Sequence, residues 1–188
     1  MTTSDHSDRK VAFLVAAEGI ERVELTEPWQ AVLDAGLEPV LVSPDSGEVQ
    51  TFDHLDKAST QQVDVIVADA AVDDFVGLVL PGGVANPDAL RMDRAAVAFT
   101  RDFLASGKPL AAICHAPWTL VEAGVLEGRS LTSWPSLRTD ITNAGGTWSD
   151  EKVVVDGNLI TSRNPDDLPV FISALLEALQ HGAAGTSS

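Results

Sequence analysis

The feature that most constrains this chain is a set of short, unbroken apolar runs, each stopped by residues that cannot continue a strand. Phe75 to Leu80 (FVGLVL) is apolar throughout and ends at Pro81-Gly82-Gly83. A strand with no polar alternation is covered on both faces, which is the pattern of a parallel sheet between helices. Lys10 to Ala16 and Leu110 to Ile113 repeat it. Between these runs the spacing changes to that of helices. Val23 to Ala35 carries Val23, Trp29, Val32 and Leu33 and ends at Gly36, and Asp93 to Ala105 closes at Gly107-Lys108-Pro109.

Further strands are expected at Pro39 to Val42, Val63 to Val67 and Leu131 to Trp134. Asp45-Ser46-Gly47 signals a turn into a short hairpin through Phe52, and Val153 to Val155 should pair with Leu159 to Ser162 across Asp156-Gly157. Helices are expected over Pro117 to Ala123, from Ser136 through Ala144, and from Asn164-Pro165 to about Leu179. Strand and helix thus alternate, which predicts a single-domain α/β fold with a mostly parallel sheet flanked by helices on both faces. The 188 residues, 45% hydrophobic, are enough for one core. Residues 1 to 9 and 181 to 188 read as frayed tails around a domain spanning 10 to 180.

Net charge and cysteine count narrow the partners. Twelve basic against 28 acidic residues give a net charge of −16, which opposes the phosphate contacts behind most nucleic-acid affinity. No apolar run approaches the roughly 20 residues of a membrane span, and the polar start has no secretory core, so a cytoplasmic protein is expected. One cysteine permits neither an internal disulfide nor a multi-cysteine metal site. Of four histidines, His6 and His181 lie near the ends and His54 and His115 within the fold, so no metal cluster is expected.

In open parallel sheets ligands bind beyond the carboxyl ends of the strands, which directs attention to the loops after Ala16, Leu80 and Ile113. The third contains Cys114, at the break between an apolar strand and the Pro117 helix, amid the small residues Ala111, Ala112 and Ala116. This is the layout of a nucleophile elbow. A helix N-terminus there would lower the thiol pKa. His115 could act as a base or offer its backbone N–H to an oxyanion. Gly82 and Gly83, free to take positive φ, could point N–H groups into the same crevice. Glu18, Glu21, Glu24 and Glu27 follow the first strand at intervals of three, which predicts a largely solvated helix face with room for one inward carboxylate.

ERVELTEP from Glu21, LVLPGG from Leu78, GKPLAAICHAP from Gly107, LTSWPSLRTDITNAGG from Leu131 and VVVDGNLITSRNPDDLP from Val153 occur in that order. Together they resemble the PfpI intracellular protease and general-stress-protein branch of the ThiJ/PfpI superfamily, from about Lys10 to Leu179. The resemblance implies a flavodoxin-like, glutamine amidotransferase-like fold and a stress-response, cysteine-dependent hydrolase that acts on peptides or glyoxal-type protein adducts. It implies Cys114 as nucleophile, His115 as its neighbour in the catalytic group, and Glu21 as a buried carboxyl hydrogen-bonded to the thiol. Gly82, Gly83 and the His115 backbone would form the oxyanion site. Peptidases of the family complete a triad with a glutamate from an adjacent subunit. Asp88 stands nearest that place, which implies a homodimer or higher oligomer. The resemblance calls for no cofactor or metal. Ala116 replaces a glycine usual in the family. Related glutaminases require a downstream histidine, and the one present, His181, lies near the end of the chain. The other function consistent with a reactive thiol is a redox-sensing or chaperone-like stress protein whose cysteine is oxidised without turnover.

Overall fold

A computed structural model describes residues 9–184. The main sheet has seven strands in the order β11-β12-β8-β7-β1-β3-β6. They are β1 (Lys10–Leu14), β3 (Glu38–Ser43), β6 (Val65–Ile66), β7 (Gly77–Leu80), β8 (Leu110–Ile113), β11 (Val153–Asp156) and β12 (Leu159–Ser162). All pairs are parallel except β11 with β12, a hairpin at one edge.

The period of two in a strand divides β1 between two cores. Val11 and Phe13 face one side, with α1 (Arg22–Asp34) and α6 (Leu168–Ala184), where Leu25, Val32, Phe171 and Leu175 pack. Ala12 and Leu14 face the other, with α3 (Arg94–Ala105) and α4 (Pro117–Ala123), where Phe99, Phe103 and Leu120 pack. Strands β7 and β8 are buried along their whole length, as their unbroken apolar sequences require. Asp93 caps α3 by accepting the Ala96 N–H at 2.8 Å. Asn164 accepts the Asp166 N–H at 3.0 Å in the turn leading into α6.

Several elements depart from the sequence-based expectation. Glu18–Glu21 forms strand β2, not the start of a helix face. It joins a small sheet, β2-β4-β5, with β4 (Glu48–Asp53) and β5 (Asp56–Gln62). The expected hairpin through Phe52 is therefore displaced by one connection: β4 turns back on β5 around His54, and no pairing joins it to β3. A short helix, α2 (Ala85–Leu90), follows the Pro-Gly-Gly turn. Strand β9 (Ser130–Leu131) is shorter than expected and pairs with β10 (Thr147–Trp148), on either side of α5 (Arg138–Asn143).

At the end of the chain α6 continues past Leu179 to Ala184, so residues 181 to 184 belong to a helix and not to a tail. His181 lies there, 3.9 Å from Glu177 one turn earlier. Residues 1–8 and 185–188, assigned to tails, lie outside the described residues. Arg9 is tied to the body by a hydrogen bond from its guanidinium to the Gly36 carbonyl at 2.5 Å. Among the described residues, no helix is long and apolar enough to cross a membrane.

Candidate active site

The carboxyl ends of β1, β7 and β8 meet around one cavity of about 770 Å³. Cys114 and His115 come to it from the end of β8, Gly83 and Val84 from the turn after β7, and Glu24 from α1. Phe52, His54 and Leu55 form its hairpin wall, and Trp134 and Pro165 contribute from the loops before α5 and α6.

Cys114 occupies a left-handed backbone conformation, φ 64°, unusual for a residue with a Cβ. Such strain persists only where the surroundings over-determine it. The Cys114 N–H donates to the Ser162 carbonyl at 3.1 Å, its carbonyl accepts the Trp134 N–H at 2.9 Å, and the Ala116 N–H closes the turn on Ile113 at 3.1 Å. Ala116 itself is right-handed helical, φ −53° and ψ −33°, so its methyl group strains no backbone. The thiol lies 3.2 Å from His115 Nδ1. The two side chains meet because the chain has not yet entered a helix at this point. Trp134 stacks on the His115 ring at 21° and 5.7 Å, and Trp118 lies against it at 5.3 Å. Burial lowers the imidazole pKa.

The carboxyl beside the thiol belongs to Glu24, not to Glu21. Glu24 is fully buried on the first turn of α1, and its Oε2 accepts the Gly82 N–H at 2.9 Å. Oε1 has no hydrogen-bond partner, and the Cys114 thiol bears on this carboxyl. Burial pushes the Glu24 pKa up to about 8, against the pull of the Gly82 N–H. Burial thus favours the protonated form of Glu24. Glu21 ends β2 half-buried on the cavity wall, where its Oε2 accepts the His54 N–H at 3.2 Å.

Gly82 also changes role. With its N–H bonded to Glu24, it is not a free oxyanion donor, and its contribution is steric: a Cβ there would stand 2.6 Å from Cys114 Cβ and 2.7 Å from the Ile113 carbonyl. The donors that turn toward the sulfur are the N–H groups of Gly83, at φ 82°, and His115. The expectation of a lowered thiol pKa is reversed. Burial, followed by the charge Glu24 would carry, pushes the thiol well above its ordinary value, although the two backbone donors oppose this. The helix contributes little because α4 is only seven residues long and begins three positions on, with a proline.

Asp88 is exposed on α2 and opens onto a different cavity of about 610 Å³, with Arg91, Arg94, Arg101 and Glu122, so it does not reach Cys114 within one chain. Asn86 is a structural residue the sequence left unnoticed. Fully buried, it accepts the Ala16 N–H at 2.7 Å and donates to the Pro81 and Gly82 carbonyls at 2.9 and 3.0 Å, locking β1 to the Pro-Gly-Gly turn.

A model of the DJ-1/PfpI family matches residues 9–178. A deglycase of Thermococcus kodakarensis is 40% identical over 167 residues, 89% of this chain and 98% of its own. A deglycase of Pyrococcus furiosus is 40% identical over 171 residues, 91% and 99% of the two chains. Among solved structures, Drosophila melanogaster DJ-1beta superimposes with a TM-score of 0.80 at 30% identity, over 94% of this chain and 96% of that one.

Proposed function

Because this chain belongs to the DJ-1/PfpI family, we propose that it is a cysteine-dependent hydrolase that removes small glyoxal-type adducts from amino groups, with Cys114 as nucleophile. The observation that carries this reading is the placement of a strained thiol in a roomy cavity, against an imidazole at 3.2 Å and with a fully buried carboxyl on the neighbouring helix. The names of the two deglycases support the substrate class.

In the resting site thiol and imidazole are both neutral, because burial disfavours the charged form of each. The reactive thiolate thus forms during attack, as Sγ passes its proton to His115 while bonding to the electrophilic carbon. Negative charge developing on the substrate oxygen meets the N–H groups of Gly83 and His115. Protonated Glu24 can donate its O–H to the sulfur, stabilising it when it carries charge without adding a charge of its own.

Peptide hydrolysis through a triad would need a carboxylate from a second chain, for which Asp88 is the candidate. In this reading the protein assembles as a homodimer or larger, and Asp88→Ala would lower peptide cleavage alone. The reducing cytoplasm would keep the single thiol free for turnover. The deciding experiment compares wild type with Cys114→Ser for removal of methylglyoxal adducts from amines, cleavage of peptides and suppression of client aggregation. Adduct removal lost with the thiol supports the hydrolase. Suppression that survives, with no removal by either protein, replaces it with a chaperone-like role.

A further inference from the structure

Among the described residues, two without a glycine's freedom hold positive φ: Cys114 at 64° and His54 at 62°. They come from separate sheets, yet both line the same cavity. Non-glycine residues in the left-handed region are strained and cluster at functional sites, where the surrounding structure holds them. His54 is held in this way from both sides. Its N–H donates to Glu21 Oε2 at 3.2 Å, and the preceding Asp53 takes a two-pronged contact from Arg22, at 2.7 and 3.1 Å. A hairpin tip that served only to reverse the chain would do so at lower cost with glycine or asparagine.

We infer that His54 is a second catalytic histidine of this site, the base that activates water when the acyl group leaves Cys114. The inference rests on the hydrolase reading. His115 is poorly suited to this half of the reaction: its Nδ1 is engaged with the sulfur and its ring is enclosed by two tryptophans. His54 is exposed on the hairpin wall and keeps contact with water. A neutral imidazole also carries a ring nitrogen that can accept a proton from water. A glyoxal-type adduct reaches the acyl stage when the amine leaves with the proton held by His115 and the thiohemiacetal on Cys114 isomerises to a 2-hydroxyacyl thioester. Hydrogen moves from the carbinol carbon to the neighbouring carbonyl, with no net oxidation. In the step assigned to His54, a water oxygen bonds to the carbonyl carbon of that thioester while His54 accepts the proton the water sheds. The carbon–sulfur bond then breaks, its electron pair goes to Sγ, the proton returns to sulfur and the carboxylic acid departs.

The test is p-nitrophenyl acetate, which acetylates a reactive thiol whatever the natural substrate. A burst of nitrophenol reports formation of the Cys114 thioester and the steady rate reports its hydrolysis. Asn and Gly both tolerate positive φ, so His54→Asn and His54→Gly preserve the hairpin. Both should keep the burst while the steady rate falls about 100-fold, within the usual range for loss of a general base. The acetylated protein should accumulate in the mass spectrum, and free imidazole should restore hydrolysis in His54→Gly. His54→Gly should also melt higher than wild type, because relief of strain raises stability as function is lost. A burst followed by wild-type hydrolysis, or burst and steady rate falling together, overturns the assignment. Absence of any Cys114-dependent release of nitrophenol by the wild type would overturn the hydrolase reading and His54's role with it.

Discussion

Replacing Glu24 with glutamine isolates the proton that burial places on this carboxyl. Glutamine has nearly the same shape and can still accept the Gly82 N–H that lies 2.9 Å from Oε2, but it does not titrate. In the wild type the Glu24 pKa is raised to about 8, whereas the unfolded chain has the ordinary carboxylate value, near 4.3. Between these pH values the folded state holds one more proton than the unfolded state, so stability falls as pH rises, by about 1.4 kcal/mol per pH unit. The favourable contribution is complete below the unfolded pKa and lost once the pH passes about 8. From pH 5 to pH 7 the wild type should therefore lose roughly 3 kcal/mol relative to Glu24→Gln. With a urea slope of 2–3 kcal/mol per molar, the two midpoints should separate by about 1 M over that interval. Urea titrations of both proteins at pH 5, 6, 7 and 8 measure this, and groups common to both cancel in the difference. A midpoint difference that stays constant from pH 5 to pH 8 would refute a buried neutral Glu24.

The same variant separates thiol reactivity by pH. Ionised Glu24 holds the thiol up, so Glu24→Gln should react faster with iodoacetamide than wild type above pH 8 and similarly below it. Alkylation rates from pH 6 to pH 10 check the divergence, and superimposed curves would count against coupling of the pair. Glu21→Ala should leave that rate within about twofold of wild type, because its carboxylate bonds the hairpin and not the sulfur. Gly82→Ala drives a methyl group against Cys114 and Ile113 and should cost about 1–3 kcal/mol, read as a melting point lower by several degrees.

Much of the framework was legible because its signals are local. The apolar runs of β7 and β8, the proline that opens α4 and the Asp-Gly turn between β11 and β12 act through their nearest neighbours in the chain. Strand β2 was not legible: Glu18, Gly19 and Glu21 are poor strand formers, and only pairing with β4 makes them one. Strand β5, DKASTQQ, is polar throughout and likewise depends on its partner. The helix itself is expected from Val23 and begins at Arg22, so missing β2 does not misplace it; Glu21 is assigned to the thiol by the family resemblance alone. Three-residue spacing makes Glu21 and Glu24 look equivalent, and only where the strand stops and α1 begins decides which turns inward. The hydrogen bond from Gly82 to Glu24 spans 58 positions, and no local pattern announces it.

The two bonds that pin the Cys114 backbone, to Ser162 and Trp134, use main-chain atoms alone. The elbow therefore depends on where those loops run and not on which side chains they carry. Trp134 contributes its N–H to the turn and its ring to the cavity wall, and these two duties can be separated by substitution. A library randomised at position 134 should thus retain the strained thiol in every folded member except proline, which lacks the N–H, while altering the shape and polarity of the chamber above it. Because the same ring stacks on His115, each replacement also resets how tightly that imidazole is held beside the thiol, and the chamber and the histidine would change together while the Cys114 turn does not.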